Sequence, residues 1–410
     1  MKFFNVKTVQ ETLSIIEEHF GPVGKTCRIP AADAVGMVLA EDVISAEQVP
    51  PFSRSTVDGY AVRATDTFGA TESLPAFLEI TGTIEMGKAA ELYLDEGHAQ
   101  YIPTGGMMPP GADSVVMIEH VEEVGELLNV FRQIAPGENV IRAGDDVNRG
   151  ELVIAAGHRL RPQDLGVLAS VGKTEISVYG KPVVAVLSTG DEIVPAEVQQ
   201  LAPGEVRDIN SITIAAAARQ FGAEVMYGGV VKDDYDSFYK KASQLYQEAD
   251  FLLLSGGSSV GTRDFTVQVL EALGEPGVLV HGVSIKPGKP TIIAKAGAKP
   301  VMGLPGHPAS ALIVFHLFGI PILEKLSGER TVKTDLRLEA RITRNVASAV
   351  GRSDYIRVKI EQRPDGLWAE PVFGKSGLIS TLVASDGMVE IPANQEGIRE
   401  GEIVKVQLFR

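Results

Sequence analysis

The chain has 410 residues, 44% hydrophobic and 22% charged, with 38 Lys and Arg against 53 Asp and Glu for a formal net charge of −15. That acidity argues against a nucleic-acid or anionic-membrane surface, both of which demand clustered cations. A single cysteine, Cys27, excludes an intrachain disulfide and a cysteine-based zinc site.

At roughly one domain per 150 residues, the length predicts two to four domains. The 43 glycines and 23 prolines predict short strands and tight loops. The N-terminus turns polar at once, without a signal-peptide core, and no run of about eighteen apolar residues is evident, so the expectation is a soluble cytoplasmic protein. Thr8 and Glu11 have capping-box spacing, and Val9, Leu13 and Ile16 share a helical face up to Gly21-Pro22. Residues 29–49 read as helical or mixed. From Pro50 to Asp146, Gly, Pro and Thr punctuate short apolar runs such as Ser114-Val115-Val116-Met117-Ile118, the texture of an all-β module. A short helix is predicted over 162–170, with Pro162 in its first turn.

Val183-Val184-Ala185-Val186-Leu187 and Phe251-Leu252-Leu253-Leu254 are continuous apolar runs of strand length. With a further strand at 225–231, they alternate with helices at 211–221, 237–247 and 265–273. Strands on either side of residues 286–289 follow, then a long apolar helix over 308–326. That alternation implies a mostly parallel sheet covered on both faces, a three-layer α/β domain. Ser327-Gly328-Glu329-Arg330 reads as a hinge. Beyond it Leu336, Leu338, Ala340 and Ile342 recur with a period of two, as do Ile356, Val358 and Ile360, and Val404, Val406 and Leu408. This is a small β domain.

Ligands of open α/β sheets bind beyond the carboxyl ends of the strands. Ser255-Gly256-Gly257-Ser258-Ser259-Val260-Gly261 follows such a strand and reads equally as a tight connection or as a nest of amides and hydroxyls for an anion, with Asp264 at a helix N-cap. It lacks the Gly-Lys-Ser/Thr ending of a Walker loop. Ser188-Thr189-Gly190-Asp191-Glu192 and Asp233-Asp234 sit on the same edge. Each alone reads as a solvated turn or cap; together they form a carboxylate group suited to Mg2+. Lys286-Pro287-Gly288-Lys289 has the pattern of a type II hairpin turn, and reads either as that or as a turn aiming two cations at one anion. Leu304-Pro305-Gly306-His307-Pro308 runs into a helix N-terminus, which offers free amides. The loop Pro50-Pro51-Phe52-Ser53-Arg54-Ser55-Thr56-Val57-Asp58-Gly59-Tyr60-Ala61 has a specific texture, though Asp58-Gly59 also suits a plain turn. No Gly-x-Ser-x-Gly elbow occurs, which disfavours a serine hydrolase.

These segments, with Pro103-Thr104-Gly105-Gly106, Gly111-Ala112-Asp113 and Gly144-Asp145-Asp146, occur in one order across nearly the whole chain. As an ordered set they resemble the molybdopterin molybdenumtransferases, that is, bacterial MoeA and the E domain of gephyrin. The resemblance implies four parts: an N-terminal helical region (1–46 plus 147–177), an inserted β module (47–146), a molybdopterin-binding-like three-layer α/β domain (178–328) and a small β-barrel-like C-terminal domain (329–410). It implies insertion of molybdate into adenylylated molybdopterin with Mg2+ and loss of AMP. It further implies a homodimer with its site in a cleft between subunits, small-molecule substrates, and hand-over from an adenylyltransferase.

By position, the family's site residues fall on Asp58, Thr104, Asp146, Asp233 and Asp264, with Glu192, Asp233 and Asp264 for the metal. Ser255, Gly256, Gly257, Ser258 and Gly261 would cradle phosphate. Pro305 and Pro308 flank the neighbouring turn, Lys286 and Lys289 would receive the oxyanion, and Arg352 and Ser376 of the last domain also fall on family site positions. Where many family members carry another lysine before that turn, this chain has Gly282 beside His281, which leaves tungstate open as the oxyanion. Two other readings stay open: a molybdopterin adenylyltransferase and a non-enzymatic scaffold of the same fold.

Overall fold

The computed structural model describes residues 6–256, 262–330 and 337–409, the side chains of residues 262–264 excepted. The first helix, Val9–His19, begins as expected: the Thr8 hydroxyl accepts the Glu11 N–H, and the Glu11 carboxylate accepts the Thr8 N–H at 2.7 Å. Its apolar face, with Ile16 and Phe20, packs into the core of the α/β layer.

Residues 29–49 are not helical beyond the single turn Ala31–Asp33. Pro30 has no N–H to donate, and the local pairings go elsewhere. Thr26–Pro30 pairs antiparallel with Glu175–Tyr179, and Val43–Ile44 with Leu152–Ile154. Residues on both sides of the β module thus share one core, around Leu39, Ile154, Leu160 and Leu168. The helix Pro162–Ser170 starts where expected, with the Asp164 carboxylate accepting the Arg161 N–H.

The β module is a six-stranded sheet in the order Ser114–Met117, Gly59–Val62, His98–Ile102, Ala76–Thr83, Leu127–Val130, Val121–Val124. Gly59 is required there, since a Cβ would lie 1.9 Å from the Val116 carbonyl oxygen.

The α/β sheet has the order Glu224–Val231, Val183–Thr189, Phe251–Gly256, Lys299–Leu304, Ile292–Ala296, Pro276–His281, with the first four strands parallel. Its continuous apolar runs are explained by two covered faces. Val184 and Val186 face one core with Phe251 and Leu253; Ala185 and Leu187 face the other with Leu252 and Leu254. Asn210–Gln220 and the 308–326 helix cover the first face, Tyr235–Glu248 and Thr262–Leu273 the second. The last two strands run antiparallel to their neighbours in turn. Pro276–His281 therefore points the same way as the parallel four, and the 282–291 connection returns to their carboxyl edge.

The long helix carries a π turn, Phe315–Gly319, between Pro308–Val314 and Ile320–Leu326. Pro321 has no N–H for the Leu317 carbonyl, so the regular ladder cannot continue through it. By length and apolar composition this helix suffices to span a bilayer, contrary to the expectation that no such run exists, but 78% of it is buried inside the fold. It is a core helix.

Leu338–Ile342, Ser353–Arg363, Gly366–Pro371, Gly387–Ile391 and Ile403–Leu408 close into a small barrel, because Ser353–Arg363 pairs with both Gly366–Pro371 and Gly387–Ile391. Val358, Val389, Val404 and Val406 fill it. Leu336 lies outside the described residues. A short strand of the α/β layer, Ile285–Lys286, pairs parallel with Ser353–Asp354 of the barrel.

Candidate active site

Parallel register levels the strand ends. Thr189 stands opposite both Gly256 and Val231, and just beyond them lies a cavity of about 290 Å³ lined by Ser188, Glu192, Asn210, Ser255, Gly256 and His307, among others. Gly256 has φ +133°, and a Cβ there would sit 1.9 Å from the Thr189 carbonyl oxygen, so the two chains approach this closely only because position 256 is glycine.

Carboxylates gather at one side of this edge. The Thr189 hydroxyl donates to Asp233 Oδ1 at 2.6 Å, and Asp191 Oδ1 accepts the Asp233 N–H at 3.3 Å. Burial raises the Asp233 carboxyl above its ordinary value; Thr189 opposes the shift, and the neighbouring charges of Asp191 and Glu192 add to it. Asp234 plays the plain part, capping Tyr235–Glu248 by accepting the Ser237 N–H.

Among the described residues, no group of three or more His, Cys, Asp or Glu is arranged to hold a metal ion. Asp264 lies in the first turn of Thr262–Leu273 and not at its N-cap, and its side chain is outside the described residues. Gly257, Ser258 and Gly261 are also outside them, whereas Ser255 and Gly256 line the cavity.

Sequence reasoning missed Asn210. Its Nδ2 donates to Ser255 Oγ and to the Gly306 carbonyl, both at 2.8 Å, tying three loops together. Because the Gly306 oxygen can only accept, the amide orientation is set. Among the described residues, Asn210 Oδ1 and Ser188 Oγ are then buried polar atoms without a hydrogen-bond partner, at odds with the usual satisfaction of buried polar groups. A polar Asn opening an Ala-rich helix was the only available signal.

Pro308 is the first helical residue after His307, as its sequence position suggests. The His307 ring makes no cap bond; its Nδ1 bonds Ser376 Oγ at 3.0 Å, while the Ala309 N–H donates to the Ser376 carbonyl at 3.1 Å. Ser376 of the barrel is thereby brought to the cavity mouth, and Pro305 is buried behind it.

The Lys-Pro-Gly-Lys segment is not a hairpin turn closed at its own ends. The closing bond runs from the Thr291 N–H to the Gly288 carbonyl at 3.1 Å, because residues 285–286 are engaged as a strand with the barrel. Lys286 Nζ lies 3.7 Å from Asp354 Oδ2, and Arg352 Nε donates to Asp354 Oδ1 at 2.9 Å. Lys289 is exposed and makes no ion pair among the described residues. Asp354, also missed, is in phase with Ile356, Val358 and Ile360, an acid on the inward parity of a strand.

In the β module, Asp58 Oδ1 accepts the Thr104 N–H at 2.7 Å and the Thr104 hydroxyl at 3.0 Å. These bonds hold the Asp58 carboxyl below its ordinary value, the backbone one most strongly. Asp146 is exposed on a separate loop, its N–H bonded to the Val49 carbonyl. Among the described residues, no hydrogen bond or ion pair joins Asp58, Thr104 or Asp146 to the α/β edge of the same chain.

The chain matches family profiles described as "MoeA N-terminal region (domain I and II)" over residues 7–172, "Probable molybdopterin binding domain" over 185–325 and "MoeA C-terminal region (domain IV)" over 339–409. It is 32% identical to the molybdopterin molybdenumtransferase of Bacillus subtilis, covering 96% of this chain and 92% of that one. It is 34% identical to the enzyme of the same name from Haemophilus influenzae, covering 92% of each. A crystal structure of the molybdopterin biosynthesis MoeA protein of Pyrococcus horikoshii OT3 superposes with a TM-score of 0.84 at 32% identity, over 98% of this chain and all (100%) of that one.

Proposed function

The chain belongs to the MoeA family of molybdopterin molybdenumtransferases, enzymes of molybdenum cofactor biosynthesis, and from that premise we propose that it inserts molybdate, or tungstate, into adenylylated molybdopterin with Mg2+ and release of AMP. The observation that carries this reading is the partition of charge along one sheet edge. Asp191, Glu192 and Asp233 gather beyond the Glu224–Val231 and Val183–Thr189 strands, at one end of the sheet. Lys286, in the connection that leaves Pro276–His281, and Arg352 share Asp354. The hydroxyl-lined cavity lies beyond the central strands, with Glu192 in its wall.

The two reactants are both anions and repel until they are neutralised. Lys286 and Arg352, both drawn to Asp354, provide cations for a tetrahedral oxyanion. Ser255 and the Gly256 backbone face the cavity as phosphate contacts, and Asn210 Oδ1 and Ser188 Oγ, without partners among the described residues, are available to ligand polar groups. Mg2+ commonly takes one or two protein carboxylates and completes its shell with water and phosphate oxygens. Glu192 and Asp233 fit that demand, and the like charges around Asp233 favour a cation. The ion would supply charge neutralisation at the phosphates. The protein's own share of catalysis is then positioning and electrostatic stabilisation of the departing phosphoryl group.

Asp58, Thr104 and Asp146 stand apart from this edge within one chain, which supports a homodimer whose site is completed by the β module of a second copy. Hand-over of the adenylylated pterin from an adenylyltransferase fits the same reading. The test is AMP release from adenylylated molybdopterin, with molybdate or tungstate, and with Mg2+ present or omitted. A protein that makes adenylylated pterin from ATP but releases no AMP on addition of either oxyanion overturns the reading.

A further inference from the structure

Asp354 is 1% exposed on its side chain, yet both of its cationic neighbours are substantially open to solvent, Lys286 at 60% and Arg352 at 40%. A buried carboxylate is costly unless paired, and here the pairing crosses a domain boundary. Ile285–Lys286 comes from the α/β layer and Arg352 from the barrel side. The seam is stitched on either side of the acid. The Ser353 N–H donates to the Ser284 carbonyl at 3.0 Å, and the Ser284 hydroxyl donates to the Gly351 carbonyl at 2.8 Å.

The chemistry of the pairing is uneven. Arg352 spends only Nε on Asp354, so among the described residues both terminal guanidinium nitrogens are uncommitted. Among the described residues Asp354 Oδ2 has no hydrogen bond and only the looser 3.7 Å approach of Lys286. Two cations against one carboxylate leave one net positive charge facing solvent. Two exposed cations repel each other, and the buried anion between them offsets that repulsion before any ligand arrives. Terminal guanidinium nitrogens presented as a fork suit bidentate contact with a tetrahedral oxyanion.

We infer that Asp354 is a positioning residue of the oxyanion site: it holds Lys286 and Arg352 together across the domain seam so that molybdate or tungstate meets a preset cation pair. This rests on the functional reading above. It has a distinctive sign. Neutralising Asp354 adds one net positive charge, so Coulomb attraction alone makes Asp354→Asn bind an oxyanion more tightly. Positioning makes it bind more weakly.

The experiment is titration calorimetry of sodium molybdate and sodium tungstate into the full chain, wild type and Asp354→Asn, with thermal melts in parallel and steady-state kinetics on adenylylated molybdopterin. The expected result is roughly tenfold weaker oxyanion binding, a scale typical of a small misplacement of binding groups. KM for molybdate should rise while kcat at saturating molybdate and the dependence on Mg2+ stay as in the wild type. If the wild type binds neither oxyanion, the functional reading falls and this inference with it. If the wild type binds and Asp354→Asn binds equally or more tightly, this inference alone falls. Should Asp354→Asn fail to fold, Asp354→Glu, which keeps the charge on a longer arm, carries the test: weaker binding supports the inference and unchanged binding overturns it. A chain that folds with neither variant assigns Asp354 to stability alone, which also overturns it.

Discussion

The amide of Asn210 allows a test with a sign that depends on pH. Asn210→Asp is isosteric, so no cavity is created and the change is confined to hydrogen bonding and charge. In the native chain Nδ2 serves two acceptors at 2.8 Å, Ser255 Oγ and the Gly306 carbonyl, from a residue only 8% exposed. After substitution the Ser255 hydroxyl can rotate and donate to the new carboxylate. The Gly306 carbonyl cannot, and is left half-buried against another acceptor. One stripped, partly buried carbonyl costs about 1–3 kcal/mol, and an ionised carboxylate facing it adds about 1 kcal/mol, for a total of roughly 2–4 kcal/mol at pH 7.

The ionised form is the disfavoured one, so the folded-state pKa of the new Asp lies above its unfolded value of about 3.9. The charge-dependent part of the loss is therefore absent below about pH 4 and grows as pH rises from there through the folded-state pKa. With about 2–4 °C of melting temperature per kcal/mol for a domain of this size, the variant should melt roughly 5–15 °C below wild type at pH 7 and recover part of that at pH 5. Thermal denaturation of both proteins at the two pH values measures it. A difference within about 1 °C at both pH values would show that the Asn210 bridge contributes nothing, and refute the reasoning.

Asp58 and Thr104 pair with each other on the β module, so Asp58→Ala should abolish AMP release while leaving the melting temperature unchanged. Mixing inactive Asp58→Ala with inactive Asp233→Ala under subunit exchange should restore about a quarter of wild-type activity if two copies build each site; no recovery argues for a site within one chain. Burial, with Asp191 and Glu192 as like-charged neighbours, raises the Asp233 carboxyl. Protons should therefore compete with Mg2+, and apparent Mg2+ affinity should fall on acidification from a higher pH than an ordinary carboxylate would show; a flat Mg2+ affinity from pH 7 to 5 would remove Asp233 from the cation site. Gly256→Ala places a methyl group 1.9 Å from the Thr189 carbonyl oxygen at φ +133°. It should cost about 2–4 kcal/mol in chemical denaturation, and a neutral result would mean that these strand ends separate freely.

What could be read from the residues alone follows from how each signal is made. Val183–Thr189 and Phe251–Gly256 were legible because both faces of their sheet are covered, so every position is apolar. Barrel closure was not legible: period two at Ile356, Val358 and Ile360 reports one buried face and says nothing of which strand edges meet. The carboxylates of Glu192 and Asp233 could be placed from the rule that ligands lie beyond parallel strand ends. Asn210 and Asp354 could not, since a helix-opening Asn and a strand Asp are ordinary until their partners are known. Asp354 nevertheless carried a signal, an acid in phase with three aliphatics, which must be paired if that face is inside.

Register is the step that converts these residues into a site. Thr189 reaches Asp233 because its strand is level with Val231 on one side and Gly256 on the other. A slip of one residue would turn the Thr189 hydroxyl to the opposite face and withdraw it from Asp233. In the same way, the two-residue pairing of Ile285–Lys286 with Ser353–Asp354 sets Lys286 against Asp354. The residues that determine the chemistry of this edge therefore include strand residues that need never touch a ligand, and Asp354 is the one whose charge makes that separable by experiment.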